Sequence, residues 1–359
     1  MYKDKMTPME RARAITRGEE IDRIQCNPNI ANGSAKYTGF KIGDFNTDAK
    51  ALAKATIDTY KKLGYDSVRV FTDLFILAEA MGATMKYPED NTVDLLKPAI
   101  DDIKDINKIK TINPYKDGRI PVQLEAMKRV VDEIGDEVPC ATAIIGPFTN
   151  ASFLIGAEKL TKMLIKDEES VFKLMDISLE SCFRFIDAAI ETGIGFSISE
   201  PMASCTVISP KHFKKFVKPY LEKVIEYLSL KNKKTAIHIC GKTEGLWDDL
   251  SKMGFSGFSI DNVVSLKDCV DKIGSEIKIM GNIHPTTVMY SGTVNEVKVE
   301  SLKCIKDGYK SPKGYLLMSG CSLPVETDIK NCEAMMDIVR ELGWPITDEK
   351  IENLIKKYI

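Results

Sequence analysis

His238 and Cys240 stand two residues apart at the end of a short apolar run, Thr235-Ala236-Ile237-His238-Ile239-Cys240, that breaks at Gly241. In a β-strand, residues i and i+2 point to the same side, so both side chains can address one point in space. Imidazole and thiolate together suit zinc. Two ligands alone would bind weakly, so at least one more must come from elsewhere in the chain. The competing interpretation is a buried strand with a hydrogen-bonded histidine and an inert cysteine, because free Cys is among the most buried residue types.

What positions this pair is a regular alternation of strands and helices. Thr7-Pro8-Met9-Glu10 has the form of a capping box with proline at the first helical position, and starts a short N-terminal helix that ends near Gly18. Strands are expected at residues 21–26, 67–71, 138–145, 194–199, 235–239, 257–260, 277–280 and 314–318, each followed by a helical pattern. Residues 27–39 read as a turn-rich, mobile loop, and residues 84–118 as an excursion over the rim with no long periodic segment. Strands alternating with helices imply a parallel sheet. Eight such units with no sign of an edge imply one α/β domain over residues 1–359, a (β/α)8 TIM barrel with an N-terminal helical extension. An open doubly wound sheet is the alternative, weakened by the lack of a G-x-G-x-x-G after any strand.

Composition narrows the partners. A formal net charge of -2 gives no electrostatic case for nucleic acid. Hydrophobic content of 44% and charged content of 28% describe an ordinary soluble protein, and no apolar run approaches the roughly 20 residues needed to span a bilayer. The first six residues lack the apolar region of a secretion signal. Nine cysteines, an odd number, argue for reduced thiols rather than a disulfide framework. The expected location is cytoplasmic.

In a barrel, chemistry sits at the C-terminal ends of the strands. Those ends carry Asn27, Asp73, Gly146-Pro147-Phe148, Glu200, the His238/Cys240 pair, Asp261, Gly281-Asn282 and Cys321. Cys321, after the eighth strand, opens onto the same mouth as the pair after the fifth. The three make a His-Cys-Cys set with a fourth position open, as catalytic zinc sites have. Glu200 is a candidate fourth ligand, outer partner or base, against the alternative of a carboxylate at a helix N-terminus. Asp261 is a candidate to orient His238 or meet substrate, against a turn-forming Asp-Asn pair. His284, followed by Pro285, is a structural or substrate-lining residue rather than a ligand.

At these residues the sequence resembles the uroporphyrinogen decarboxylase superfamily, and within it the zinc-dependent cobamide methyltransferases. Gly146-Pro147-Phe148-Thr149 with Ala151-Ser152, and Gly281-Asn282-Ile283-His284-Pro285, are similar to marks of the whole superfamily. Glu200-Pro201-Met202-Ala203-Ser204 with Ile208-Ser209-Pro210, and the set His238, Cys240 and Cys321, resemble the methyltransferase branch. The resemblance implies a zinc held by those three residues, activating a thiol such as coenzyme M, with Asn282 and His284 on the cofactor side of the mouth. It also implies a corrinoid partner. The base-off cobalamin pattern Asp-x-His-x-x-Gly fails here because Ala236 takes the Asp position, so the corrinoid must arrive on a corrinoid-binding protein or free. The same resemblance leaves open the reverse transfer, a demethylase passing a methyl from a methoxylated aromatic or methylamine to a corrinoid protein. Porphyrin decarboxylation is disfavoured. The Arg-Gln-Ala-Gly signature that holds porphyrin carboxylates is replaced by Gln25-Cys26-Asn27-Pro28-Asn29, and the decarboxylases' glycine-flanked histidine by Gly320-Cys321-Ser322.

Overall fold

Eight parallel strands form one curled sheet in the computed structural model, which describes residues 4–359. They are β1 (Cys26–Asn27), β2 (Val68–Val70), β3 (Cys140–Ile145), β4 (Gly195–Ser199), β5 (Thr235–His238), β6 (Gly257–Ser259), β7 (Ile279–Ile283) and β8 (Tyr315–Ser319). Neighbours follow chain order from β2 to β8, and β8 pairs back onto β1. Helices surround the sheet, as expected of a TIM barrel. The strands read as apolar runs because both faces of a parallel sheet are covered.

The seam between β1 and β2 is closed partly by a side chain. Asp66 donates its N–H to the Cys26 carbonyl at 2.9 Å and accepts the Cys26 N–H on its carboxylate at 2.7 Å. The same carboxylate meets the buried Arg11 and Arg23. Arg11 also holds Asp22, and Arg23 holds Asp4, which Arg340 reaches from the helix Ile329–Leu342. The N-terminal helix Pro8–Arg17, capped by Thr7 and Glu10 as its sequence predicts, is thereby tied to the seam.

The structure departs from the sequence expectations in five places. The first strand, expected at residues 21–26, is only Cys26–Asn27. Within the stretch expected to be a loop, Gly33–Thr38 is helical. The rim excursion contains an antiparallel hairpin, Thr84–Lys86 with Asp94–Lys97, and a 3-10 turn at Ile103–Lys108. Strands of three or four residues are too short to display a period of two. The seventh strand runs through Gly281-Asn282 to Ile283 instead of ending before them. A last helix, Asp348–Tyr358, follows the eighth unit; its apolar positions 351, 354, 355 and 358 have helical spacing.

Candidate metal centre

His238 ends β5 with its ring at the barrel mouth. Its Nδ1 lies 3.1 Å from the carbonyl and 3.1 Å from the hydroxyl of Ser259, its register partner on β6. An Nδ1–H donated to that carbonyl fixes the tautomer and leaves the Nε2 lone pair free. Nε2 lies 3.2 Å from Cys240 Sγ, and Cys240 Sγ lies 4.0 Å from Cys321 Sγ. All three ligand atoms fall within 4.8 Å of one another, the one such His/Cys/Asp/Glu group among the described residues. A zinc ion bonded to all three would set the sulfurs roughly 3.8 Å apart and each about 3.5 Å from the nitrogen. The donor set therefore fits zinc with small side-chain shifts. The two thiols are free, at twice a disulfide's bond length.

The sulfurs influence each other. The contact with Cys240, assisted by His238, pulls Cys321 well below the ordinary thiol range. The same contact, reinforced by burial, holds Cys240 above it. A cation bound between them would draw the proton from both thiols.

Loops from five strands hold the cysteines in place. Gly241, which follows Cys240, has φ +71°, and a Cβ there would come within 2.7 Å of the Ser204 and Thr206 hydroxyls. Its N–H donates to Asp261 Oδ2 at 2.7 Å, and the other Asp261 oxygen accepts the Val263 N–H at 3.1 Å. Asp261 therefore orients the backbone beside Cys240, while Ser259 is what orients His238. Cys321 sits in a turn where the Ser319 hydroxyl donates to the Cys321 carbonyl at 2.8 Å and accepts the Asn29 N–H at 3.2 Å. Part of the stretch that reads as a mobile loop thus braces the third candidate ligand.

Glu200 does not join the group. Its carboxylate is fully buried and accepts the Thr149 and Phe148 N–H groups, at 2.6 and 3.4 Å, at the start of the helix Pro147–Ile155. Burial raises it to about 7, against the pull of those hydrogen bonds. Gly146 is obligatory beneath it, since a Cβ would lie 1.8 Å from Glu200 Oε2. Glu200 still touches the site through its backbone, donating its N–H to the His238 carbonyl at 3.0 Å.

The remaining candidates lie at the edge. The Asn282 amide donates to the carbonyls of Asp261 and Val264 at 3.1 and 2.8 Å, pinning the loop that carries Asp261. His284 uses Nδ1 to accept the Thr286 and Thr287 N–H groups, capping the following turn. Asp73 is paired with Arg119 at 2.8 Å. Ser259, Ser199 and Arg69 were not legible as site residues; an arginine alternating with valines in Ser67-Val68-Arg69-Val70 was the available signal for the last.

The family model described as Uroporphyrinogen decarboxylase (URO-D) matches residues 7–342. The methylcobamide:CoM methyltransferase MtaA of Methanosarcina barkeri is 27% identical over 343 residues, 90% of this chain and 94% of that one. The uroporphyrinogen decarboxylase of Thermodesulfovibrio yellowstonii is 26% identical over 311 residues, 84% of this chain and 88% of its own. A solved structure of a methyltransferase from Methanosarcina mazei superposes with a TM-score of 0.83 at 26% identity, covering 94% of this chain and 99% of that one.

Proposed function

For a chain that belongs to the uroporphyrinogen decarboxylase family, whose relatives both decarboxylate and transfer methyl groups, we propose the activity that its own site supports: zinc-dependent methyl transfer between a corrinoid and a thiol. The observation that carries this reading is the His238-Cys240-Cys321 set, gathered within 4.8 Å at the barrel mouth. The names of relatives such as methylcobamide:CoM methyltransferase agree with it.

Zinc at these three residues would leave one position for a thiol and keep it deprotonated at neutral pH. The chain's own residues do the rest. Ser259 holds the His238 ring so that Nε2 faces the sulfurs. Asp261 and the Ser319–Asn29 contact fix the two cysteine turns. The acceptor thiol loses its proton to solvent on binding. A methyl-corrinoid at the mouth would supply the methyl group, the sulfur gaining the bond to carbon and the cobalt keeping the pair from the broken carbon–cobalt bond as Co(I). A corrinoid-binding protein or free methylcobalamin brings that methyl to the mouth.

Decarboxylation has less support at this site. The chain has no arginine in 25–29, and Arg23 just before it is buried against Asp4 and Asp66. Zinc-loaded protein, mixed with methylcobalamin and a panel of simple thiols, should generate the Co(I) spectrum and leave uroporphyrinogen unconsumed. Failure across the panel, with methyl transfer instead from a methoxylated aromatic or methylamine to a Co(I) corrinoid protein, would reverse the assigned direction. Consumption of uroporphyrinogen would overturn the reading.

A further inference from the structure

The arginines that are buried in this chain come with carboxylates. Arg11 meets Asp22 and Asp66, Arg23 meets Asp4 and Asp66, and Arg119 meets Asp73 and Glu79. Arg69 differs. Its guanidinium donates to the Ser199 hydroxyl at 2.8 Å and lies 4.4 Å from the centre of the Phe71 ring. Its Nε is buried without a partner, and no carboxylate among the described residues pairs with it. An unpaired cation in the interior is costly, so such a group implies an anion that completes it in the working protein.

Its placement says which anion. Arg69 on β2 is level with Ala141 on β3, which is level with Gly195 at the start of β4. From there the side chain reaches along the barrel interior to Ser199, whose register partner on β5 is His238. The small residues Ala141, Ser197 and Ala236 leave a cavity of about 180 Å³ that Arg69 and His238 line together, with Phe196 and Met280 among its apolar walls. Burial lowers Arg69 to about 10, and the charges acting in the other direction are those of Cys321 and Cys240. It remains protonated at neutral pH.

Charge counting separates two states of the centre. Two cysteinates and a neutral imidazole cancel the two positive charges of zinc. A thiolate in the fourth position adds one negative charge, in a setting where the nearby cavity walls are largely apolar. We propose that Arg69 is a positioning residue for the acceptor: its charge, delivered through the barrel interior, stabilises the centre when a substrate thiolate occupies the fourth position. This inference rests on the zinc–thiol reading given above.

The test compares wild type with Arg69→Met and Arg69→Lys, all loaded with zinc. Metal per chain is measured alongside calorimetric affinity for 2-mercaptoethanol, whose tail is neutral, and 3-mercaptopropionate, whose tail is anionic. Zinc should stay at about one per chain throughout. Arg69→Met should weaken both thiols by roughly tenfold or more, the size expected for one charge acting through a partly apolar interior. Arg69→Lys should recover most of that loss. Unchanged thiol binding in Arg69→Met overturns the proposal. So does a loss confined to 3-mercaptopropionate, which would make Arg69 a receptor for the tail, and so does a lysine variant as weak as the methionine one. If Arg69→Met does not fold, Arg69→Gln, which keeps a donor for Ser199, carries the same comparison. Wild type that binds neither zinc nor thiol would sink the underlying reading; wild type that binds both, with the variants unaffected, would sink only this one.

Discussion

At the scale of single residues, the centre depends on which atoms remain available once local hydrogen bonds are made. His238 commits Nδ1 to Ser259, which leaves Nε2 to the sulfurs. Glu200, by contrast, turns its carboxylate to the backbone N–H groups of Phe148 and Thr149. Cys240 and Cys321 are half-buried, so removing either sulfur takes away a candidate ligand without opening the core. Cys240→Ala and Cys321→Ala should each weaken zinc by more than about a hundredfold while leaving the fold intact. Competition against a chromophoric chelator measures this, and near-complete occupancy in both variants would rule the site out.

Among the elements, the loops after β4, β5, β6 and β8, steadied by Asn282 from within β7, matter more than the strands that carry them. Asp261 holds Gly241, and Asn282 holds the loop that carries Asp261, so two residues with chemical potential act here through the backbone. Asp261→Ala should weaken zinc roughly 10- to 100-fold, the range typical of a lost outer partner, with Asp261→Asn closer to wild type because its amide oxygen still accepts. Glu200 joins β4 to the helix Pro147–Ile155. Glu200→Ala leaves buried N–H groups unpaired and should cost about 1–3 kcal/mol in chemical denaturation. Glu200→Gln should cost less and keep methyl transfer; a folded glutamine variant without activity would show the carboxylate to be catalytic after all.

For the molecule as a whole, the mouth and the opposite end of the barrel divide the work. The seam between β1 and β2 is secured by Asp66, shared between Arg11 and Arg23, and by the N-terminal helix those arginines anchor. Burial pushes Asp22 up, but the Arg11 guanidinium overrides it and holds the carboxyl at about 2, below its ordinary 3.8. A folded value below the unfolded one means that this stabilisation is complete above about pH 4 and is lost as pH falls toward 2. The stability gap between wild type and Asp22→Asn should therefore be constant above about pH 4 and close below it, as followed by denaturant melts across that range. A gap that widened with acid would contradict the pairing. No helix among the described residues is long and apolar enough to cross a membrane.

The sequence by itself determined the alternation of strands with helices, because helices write their period into consecutive residues and buried parallel strands stand between them as short apolar runs. It also brought the His238 and Cys240 side chains together, because that relation is local, although β5 ends at His238 and Cys240 lies just past it. The pairing with Cys321, 81 positions further on, could be proposed only after a closed barrel was assumed. Tertiary structure alone decided which way side chains turn at the strand ends: Glu200 toward a helix N-terminus, Asp261 toward Gly241, Ser259 toward His238. It alone revealed that residues within 27–39 include a helix and brace the Cys321 turn. The reason is the same in each case. A hydrogen bond between loops joins residues tens to hundreds of positions apart and leaves no periodic trace, and an unpaired cation such as Arg69 becomes visible only when every carboxylate that could have met it has been placed elsewhere.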